Sequence, residues 1–291
     1  MKYKIFYFIF SLIMILPGMY FLATSGLKLG IDFTGGVLLE YQFQKNINQD
    51  EIKKVISDSG GEVAQINSSG DNSYLIKTKP LEQEKVNSIK KALTDKFGRV
   101  DDRRTENVGP IIGNELKQKA LLALIVSSVA IVLYVAYSFR KVPKPTSSWR
   151  FGITAVMALL HDVLMVVGMF AIFGKFFNVE VDTLFVTAIL TVIGFSVHDT
   201  IVVFDRVREN LMKNIGEKFT DVANLSIVQT LGRSLNTSLT VVFVLLALLL
   251  FGGETIRWFV AALLIGIISG TYSSIFNATA LLVWWEEKLG H

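Results

Sequence analysis

The 291-residue chain has no cysteine and only three histidines. The first absence excludes disulfides, thiol catalysis and cysteine-ligated metals, and leaves the redox compartment open. The second leaves little for a metal site. His161-Asp162 and His198-Asp199 each echo the His-Asp pair of metal phosphohydrolases, but the third histidine, His291, is terminal. Two such pairs on apolar segments lack a full ligand set, so neither a metal nor any other cofactor is expected. Charge of one sign is also scarce, with 29 Lys and Arg against 25 Asp and Glu. No segment carries a dense basic patch interleaved with aromatics, which argues against nucleic acid as a partner. No nucleophile–base set suggests an enzyme.

Apolar residues are abundant. They make up 51% of the chain, and the mean hydropathy is +0.47. A soluble domain of this size would lack the polar residues to cover such a core, and membrane lipid is the natural solvent for the surplus. Six apolar runs stand out, at 5–24, 120–139, 151–173, 183–204, 235–251 and 258–285. Each is long enough to cross about 30 Å of hydrocarbon. The first, about 20 residues, exceeds a usual signal-peptide core. It is expected to be an uncleaved anchor, making residues 1–24 the first span.

Short loops set the expected orientation. Lys2 and Lys4 precede the first span. Arg140, Lys141, Lys144 and Arg150 lie between the second and third, and Arg206, Arg208, Lys213, Lys218 and Arg233 between the fourth and fifth. The alternate loops hold Lys175 and Arg257 alone. The positive-inside rule then places both termini in the cytoplasm and residues 25–119 outside.

That outer stretch reads as a small water-soluble domain. Strand-like alternation at 37–43 precedes helical periodicity at 49–59. Strands at 62–68 and 73–79 flank the turn Ser69-Gly70-Asp71-Asn72. An amphipathic helix at 82–97 is closed by Gly98, and 100–108 reads as a last strand. The order β-α-β-β-α-β is the ferredoxin-like pattern. With 15 Lys and Arg against 14 Asp and Glu, its surface is near neutral. The expected fold class is thus a polytopic α-helical membrane protein of six spans with one α+β ferredoxin-like extracytoplasmic domain. Residues 205–234 are too polar for the bilayer, and read as a cytoplasmic amphipathic segment against the bundle.

The strongest chemical signal is acid inside the membrane. Asp162 lies within the third span and Asp199 within the fourth. An ionised carboxylate there costs several kcal/mol unless it is paired or hydrated. Thr187, Thr191, Phe195 and Asp199 step along one helical ridge with Ser196 beside them, a stripe suited to lining a hydrated path. Asp199 is therefore the first candidate for a proton-carrying group. Arg233, just before the fifth span, is either its cationic partner or a flank snorkelling to headgroups. Asn236, Thr237, Ser238 and Thr240 make that end of the span polar. Asp162 either carries a proton too or holds helices together. His198 is a further candidate for the proton path, since histidine titrates near neutrality.

The glycines read as packing devices. Gly266 and Gly270, continued by Ser274, form a small-xxx-small pair for close helix approach. Gly30, Asp32, Gly35 and Gly36, in GIDFTGG, read as a tight turn into the outer domain. A phosphate loop there would need a lysine and a following helix.

Taken in order, GIDFTGG at 30–36, VGPIIG at 108–113, HDV at 161–163, DTIVVFDRVREN at 199–210, QTLGRSLNTS at 229–238, LFGG at 250–253 and GTYSSI at 270–275 resemble the SecF family. The 199–210 stretch is the most specific, and the likeness runs over nearly the whole chain. The resemblance implies one half of a resistance-nodulation-division transporter fold, completed by the six related helices of SecD. It implies use of the proton motive force to help the SecYEG channel export unfolded preproteins across the bacterial cytoplasmic membrane, with YajC as a further candidate partner. It also implies proton transport at the residues matching Asp199 and Arg233, with another functional acid on SecD. One departure is His198, where many members have asparagine. Alternatives of other classes are a proton-coupled exporter of small molecules or lipids and a non-transporting scaffold of the translocon.

Overall fold

The structure is a computed structural model that describes residues 4–140, 142–143 and 146–289. The basic residues Lys2, Lys141 and Lys144 of the orientation argument lie outside these. The chain divides into two compact units, residues 29–121 and residues 4–28 with 122–289.

In the first unit a short helix, α2 (Ile31–Thr34), leads into β1 (Gly36–Phe43), α3 (Gln49–Asp58), β2 (Val63–Gly70), β3 (Ser73–Thr78), α4 (Gln83–Phe97) and β4 (Val100–Val108). Period-2 alternation buries Val37, Leu39, Tyr41 and Phe43 on one face of β1. The apolar stripes of α3 (Ile52, Val55, Ile56) and α4 (Val86, Ile89, Leu93) belong to that same core. Asn48 caps α3 by accepting from the Asp50 amide at 3.0 Å. The sheet is antiparallel throughout, in the order β2-β3-β1-β4. This is the ferredoxin-like arrangement that the element order predicts.

The two glycine motifs meet in this unit. Gly35 and Gly36 have φ of 76° and 153°, a region that side chains disfavour. A Cβ on Gly36 would sit 2.6 Å from the Thr78 carbonyl oxygen, and one on Gly35 2.9 Å from Cα of Pro110. GIDFTGG therefore closes against the strand ladder and the start of the next helix, with Asp32 in the first turn of α2.

Burial and the nearby Asp102 carboxylate push the Tyr41 hydroxyl up to about 12. The folded domain keeps this proton while an unfolded chain loses it near pH 10. Stability from Tyr41 is therefore full below about pH 10 and is lost as pH rises toward 12, by on the order of 2–3 kcal/mol. Alkaline unfolding of the full chain, followed by tyrosine absorbance, should show the Tyr41→Phe variant losing less stability across that window.

Among the described residues the chain has six helices long and apolar enough to cross a membrane, the second of which begins in the first unit. They are α1 (Lys4–Ser25), α5 (Pro110–Ser138), α6 (Ser148–Phe177), α7 (Thr183–Lys213), α8 (Phe219–Phe251) and a last, composite helix. The last comprises α9 (Gly253–Tyr272), a π-turn (Ser273–Ala278) and α10 (Thr279–Lys288). α7 packs against α6, α8 and α9, so the fourth span lies inside the bundle. At one end, the Arg150 guanidinium pairs with the fully buried Glu286 carboxylate at 2.7 Å.

The polar stretch 205–234 is not a separate element. α7 continues to Lys213 and α8 begins at Phe219, with a short turn between them. Arg206 and Lys213 both pair with Glu209 and support the extension of α7. Across the turn, Asn210 donates to Ser226 Oγ and Gln229 Oε1, both at 2.9 Å, and Arg206 donates to the same Gln229 oxygen at 2.7 Å. Hydropathy marks where a helix becomes polar, not where its hydrogen bonds end.

Candidate functional site

Asp162 on α6 and Asp199 on α7 are each about 1% exposed. Their surroundings differ. Asp162 accepts from the hydroxyls of Ser196 (2.6 Å), Ser273 (2.7 Å) and Ser269 (2.8 Å), and its Oδ1 lies 3.0 Å from Nδ1 of His161. α7, α9 and the π-turn thus all bind the same carboxyl.

Asp199 is held loosely. Ser238 on α8 donates to its Oδ2 at 3.3 Å, long for an O–H···O bond. Thr271 on α9 donates to Ser238 at 2.7 Å. His198 Nδ1 stands 3.7 Å from the other oxygen, too far for a hydrogen bond, and its ring is 61% exposed.

One expectation needs correction, and one pairing is not made in this conformation. The stripe of Thr187, Thr191 and Phe195 does not lead to Asp199. Thr187 and Thr191 are exposed and donate back to the carbonyls of Thr183 and Thr187. Each four-residue step rotates about 40° around a helix, so three steps put Thr187 about 120° from Asp199. The hydroxyl at Asp199 comes instead from Ser238 of α8, which Thr271 of α9 contacts in turn. Nor is Arg233 paired with Asp199 here. Arg233 is exposed, and among the described residues the ionisable group nearest Asp199 is His198, not Arg233. Five residues separate it from Ser238, about 140° around α8.

Arg233 instead begins an exposed polar row with Asn236, Thr237 and Thr240, spaced as one helical face. His198, Thr191 and Thr187 form a similar row on the neighbouring α7. These rows lie on helices of membrane length, where lipid offers no hydrogen-bond partner.

Gly266 and Gly270 explain how α9 comes so near. A Cβ on Gly266 would lie 2.2 Å from Cγ2 of Val192, and one on Gly270 3.1 Å from Cβ of Ser196 and 3.5 Å from the Asp162 carboxyl. The small-xxx-small pair therefore brings the end of α9 against Asp162, and Thr271 against Ser238, the partner of Asp199. Sequence reading missed Ser196, Ser269, Ser273, Ser238 and Thr271 as a group. The signal was available as serines and threonines recurring along apolar helices.

Two buried carboxyls, one bound by hydroxyls of α7 and the last helix and the other by a hydroxyl of α8, mark a transporter-type membrane protein rather than a simple anchor. Comparison with known proteins narrows the class. The family described as "Protein export membrane protein SecD/SecF, C-terminal" matches residues 88–288, and "SecD/SecF GG Motif" matches residues 20–47, which include Asp32, Gly35 and Gly36. The chain is 48% identical to the protein translocase subunit SecF of Thermobaculum terrenum, covering 99% of this chain and 93% of that one. It is 41% identical to the SecF of Vibrio alginolyticus, covering 97% and 87%. The crystal structure of SecDF from Thermus thermophilus superposes with a TM-score of 0.85 at 31% identity, covering 98% of this chain. This chain spans 38% of that longer one. The chain belongs to the SecF family of protein translocase subunits.

Proposed function

We propose that this chain handles a proton for protein export, with Asp199 as the group that takes it up and releases it. The observation that carries the reading is the setting of Asp199. Among the described residues it is buried, accepts one long hydrogen bond, and has the exposed ring of His198 3.7 Å away. A carboxyl so weakly tied changes protonation without dismantling the bundle. Arg233 and His198 belong to the exposed polar rows of α8 and α7. Arg233 pairs with Asp199 in a conformation other than this one, and His198 passes protons between the exposed face and the acid. Asp162, the other candidate, is tied by four contacts and better suited to a fixed role.

A polar face on membrane-length helices requires a protein cover. The cover we propose is SecD, a second six-helix bundle with its own acid. SecYEG and YajC are the further partners, the cargo is an unfolded preprotein, and the site of action is the bacterial cytoplasmic membrane. Lys4, Arg140, Arg150 and the α7–α8 turn would face the cytoplasm with both termini, and residues 25–119 would face outward. The family membership and the superposition on SecDF support this reading. In cells depleted of their own SecF and supplied with this chain and its SecD, an uncoupler should slow late preprotein export to the rate without the chain. Export that the chain stimulates equally with and without a proton gradient would favour a scaffold and defeat the proposal.

A further inference from the structure

We propose that Ser238 and Thr271 form a reversible hydroxyl switch that keeps Asp199 hydrogen-bonded in both of its protonation states. The inference rests on the reading of Asp199 as the proton carrier and adds two positioning residues to it. Each hydroxyl has one proton to donate. With Asp199 ionised, Thr271 donates to Ser238 (2.7 Å) and Ser238 donates to the carboxylate (3.3 Å). With Asp199 protonated, the acid O–H must find an acceptor. Ser238 accepts it only if its own proton turns toward Thr271, and Thr271 then needs another acceptor. The carbonyl oxygen of Ile267 lies 2.8 Å from the Thr271 hydroxyl and supplies one. The whole chain therefore inverts, from Thr271→Ser238→Asp199 to Asp199→Ser238→Thr271→Ile267, by rotation of two hydroxyls. No donor is stranded in either state, so neither state carries the cost of an unsatisfied buried group.

Asp162 provides the contrast. Among the described residues, the Ser196 and Ser269 hydroxyls have no acceptor other than its carboxyl oxygens, and Ser273 has only the Gly270 carbonyl at 3.3 Å. Inversion there would strand buried hydroxyls. One turn of the last helix thus carries a fixed contact set for one acid and a switchable one for the other. The other titratable groups around Asp199 leave the switch alone. His198 is 3.7 Å away, and His161 is directed to Asp162. From α9, the Tyr272 hydroxyl donates to the Tyr7 carbonyl. From α8, Arg233 is exposed, and the π-turn SSIFNA holds no ionisable residue.

The test is infrared difference spectroscopy of the chain with its SecD partner in lipid vesicles, stepped between low and high pH. Asp199→Asn identifies the carboxyl-stretch band of Asp199. Ser238→Ala, which removes the acceptor, and Thr271→Val, which blocks the inversion, should both move that band to higher frequency. Thr271→Ser, which restores the hydroxyl, should return it. Proton uptake should fall severalfold in Thr271→Val and recover in Thr271→Ser. A wild-type band that Ser238→Ala and Thr271→Val both leave in place overturns the switch while sparing Asp199 as the carrier. A spectrum with no band sensitive to Asp199→Asn overturns both.

Discussion

Asp199→Asn is expected to abolish proton-driven export while the chain accumulates and associates with its partner at wild-type levels. Asparagine keeps the shape of the side chain. Its amide oxygen still accepts from Ser238, so that buried hydroxyl keeps its partner and little stability is lost. What disappears is titration. Moving one elementary charge through about 100 mV is worth about 2.3 kcal/mol. That biases a two-state equilibrium by about fiftyfold. Without a group that changes charge, the gradient has nothing in this span to act on. Pulse-labelling of a secretory precursor at native expression, with parallel co-purification of the partner, separates the two effects. Wild-type export by the variant would rule Asp199 out as the carrier.

Asp162→Ala should act in the opposite way, on assembly before activity. It removes the common acceptor of three serine hydroxyls buried among α7, α9 and the π-turn. Ser196 and Ser269 are left without a partner, at about 1–3 kcal/mol each, and the lost side chain leaves a void besides. The sum is on the order of 4–6 kcal/mol, much of the stability of a typical domain. The variant should fail to accumulate, or melt far below wild type in detergent. Asp162→Asn retains one acceptor oxygen and should accumulate, melt somewhat lower and still export. Export lost in Asp162→Asn despite normal accumulation would instead make Asp162 a second proton carrier.

Much of this architecture is legible in the sequence because the signals are local and periodic. The alternation of Val37, Leu39, Tyr41 and Phe43 marks β1, and the stripes around Ile52 and Ile89 mark α3 and α4. Their order constrains the sheet to its observed sequence of strands. The apolar runs mark the membrane-length helices. The ends of those helices are less visible. Polar residues such as Arg206, Asn210 and Gln229 are compatible with a separate segment, and only their contacts across the turn show that they continue α7 and α8.

At the site, rarity exposes the acids but not their partners. Asp162 and Asp199 stand out because a buried carboxyl in an apolar helix is costly. Serine and threonine are tolerated there at small cost, because they bond back to their own helix carbonyls. Ser238 and Thr271 therefore look ordinary until the approach of α9 at Gly266 and Gly270 brings them together. The π-turn at Ser273–Ala278 is similarly silent in composition. It begins at the residues that bind Asp162 and the carbonyl of Ser196, where regular helical spacing would place different side chains. The pairing of Arg233 with Asp199, suggested by the position of Arg233 just before the fifth span, is not made in this conformation because Arg233 lies about 140° around α8 from Ser238, the residue that binds Asp199.

The most direct measurement is proton flux through the chain and its SecD partner, co-reconstituted in vesicles that enclose a pH-sensitive dye. Under an imposed gradient, wild-type vesicles should acidify faster than empty ones, and Asp199→Asn vesicles should match the empty ones. Equal flux in wild-type and Asp199→Asn vesicles would contradict the account.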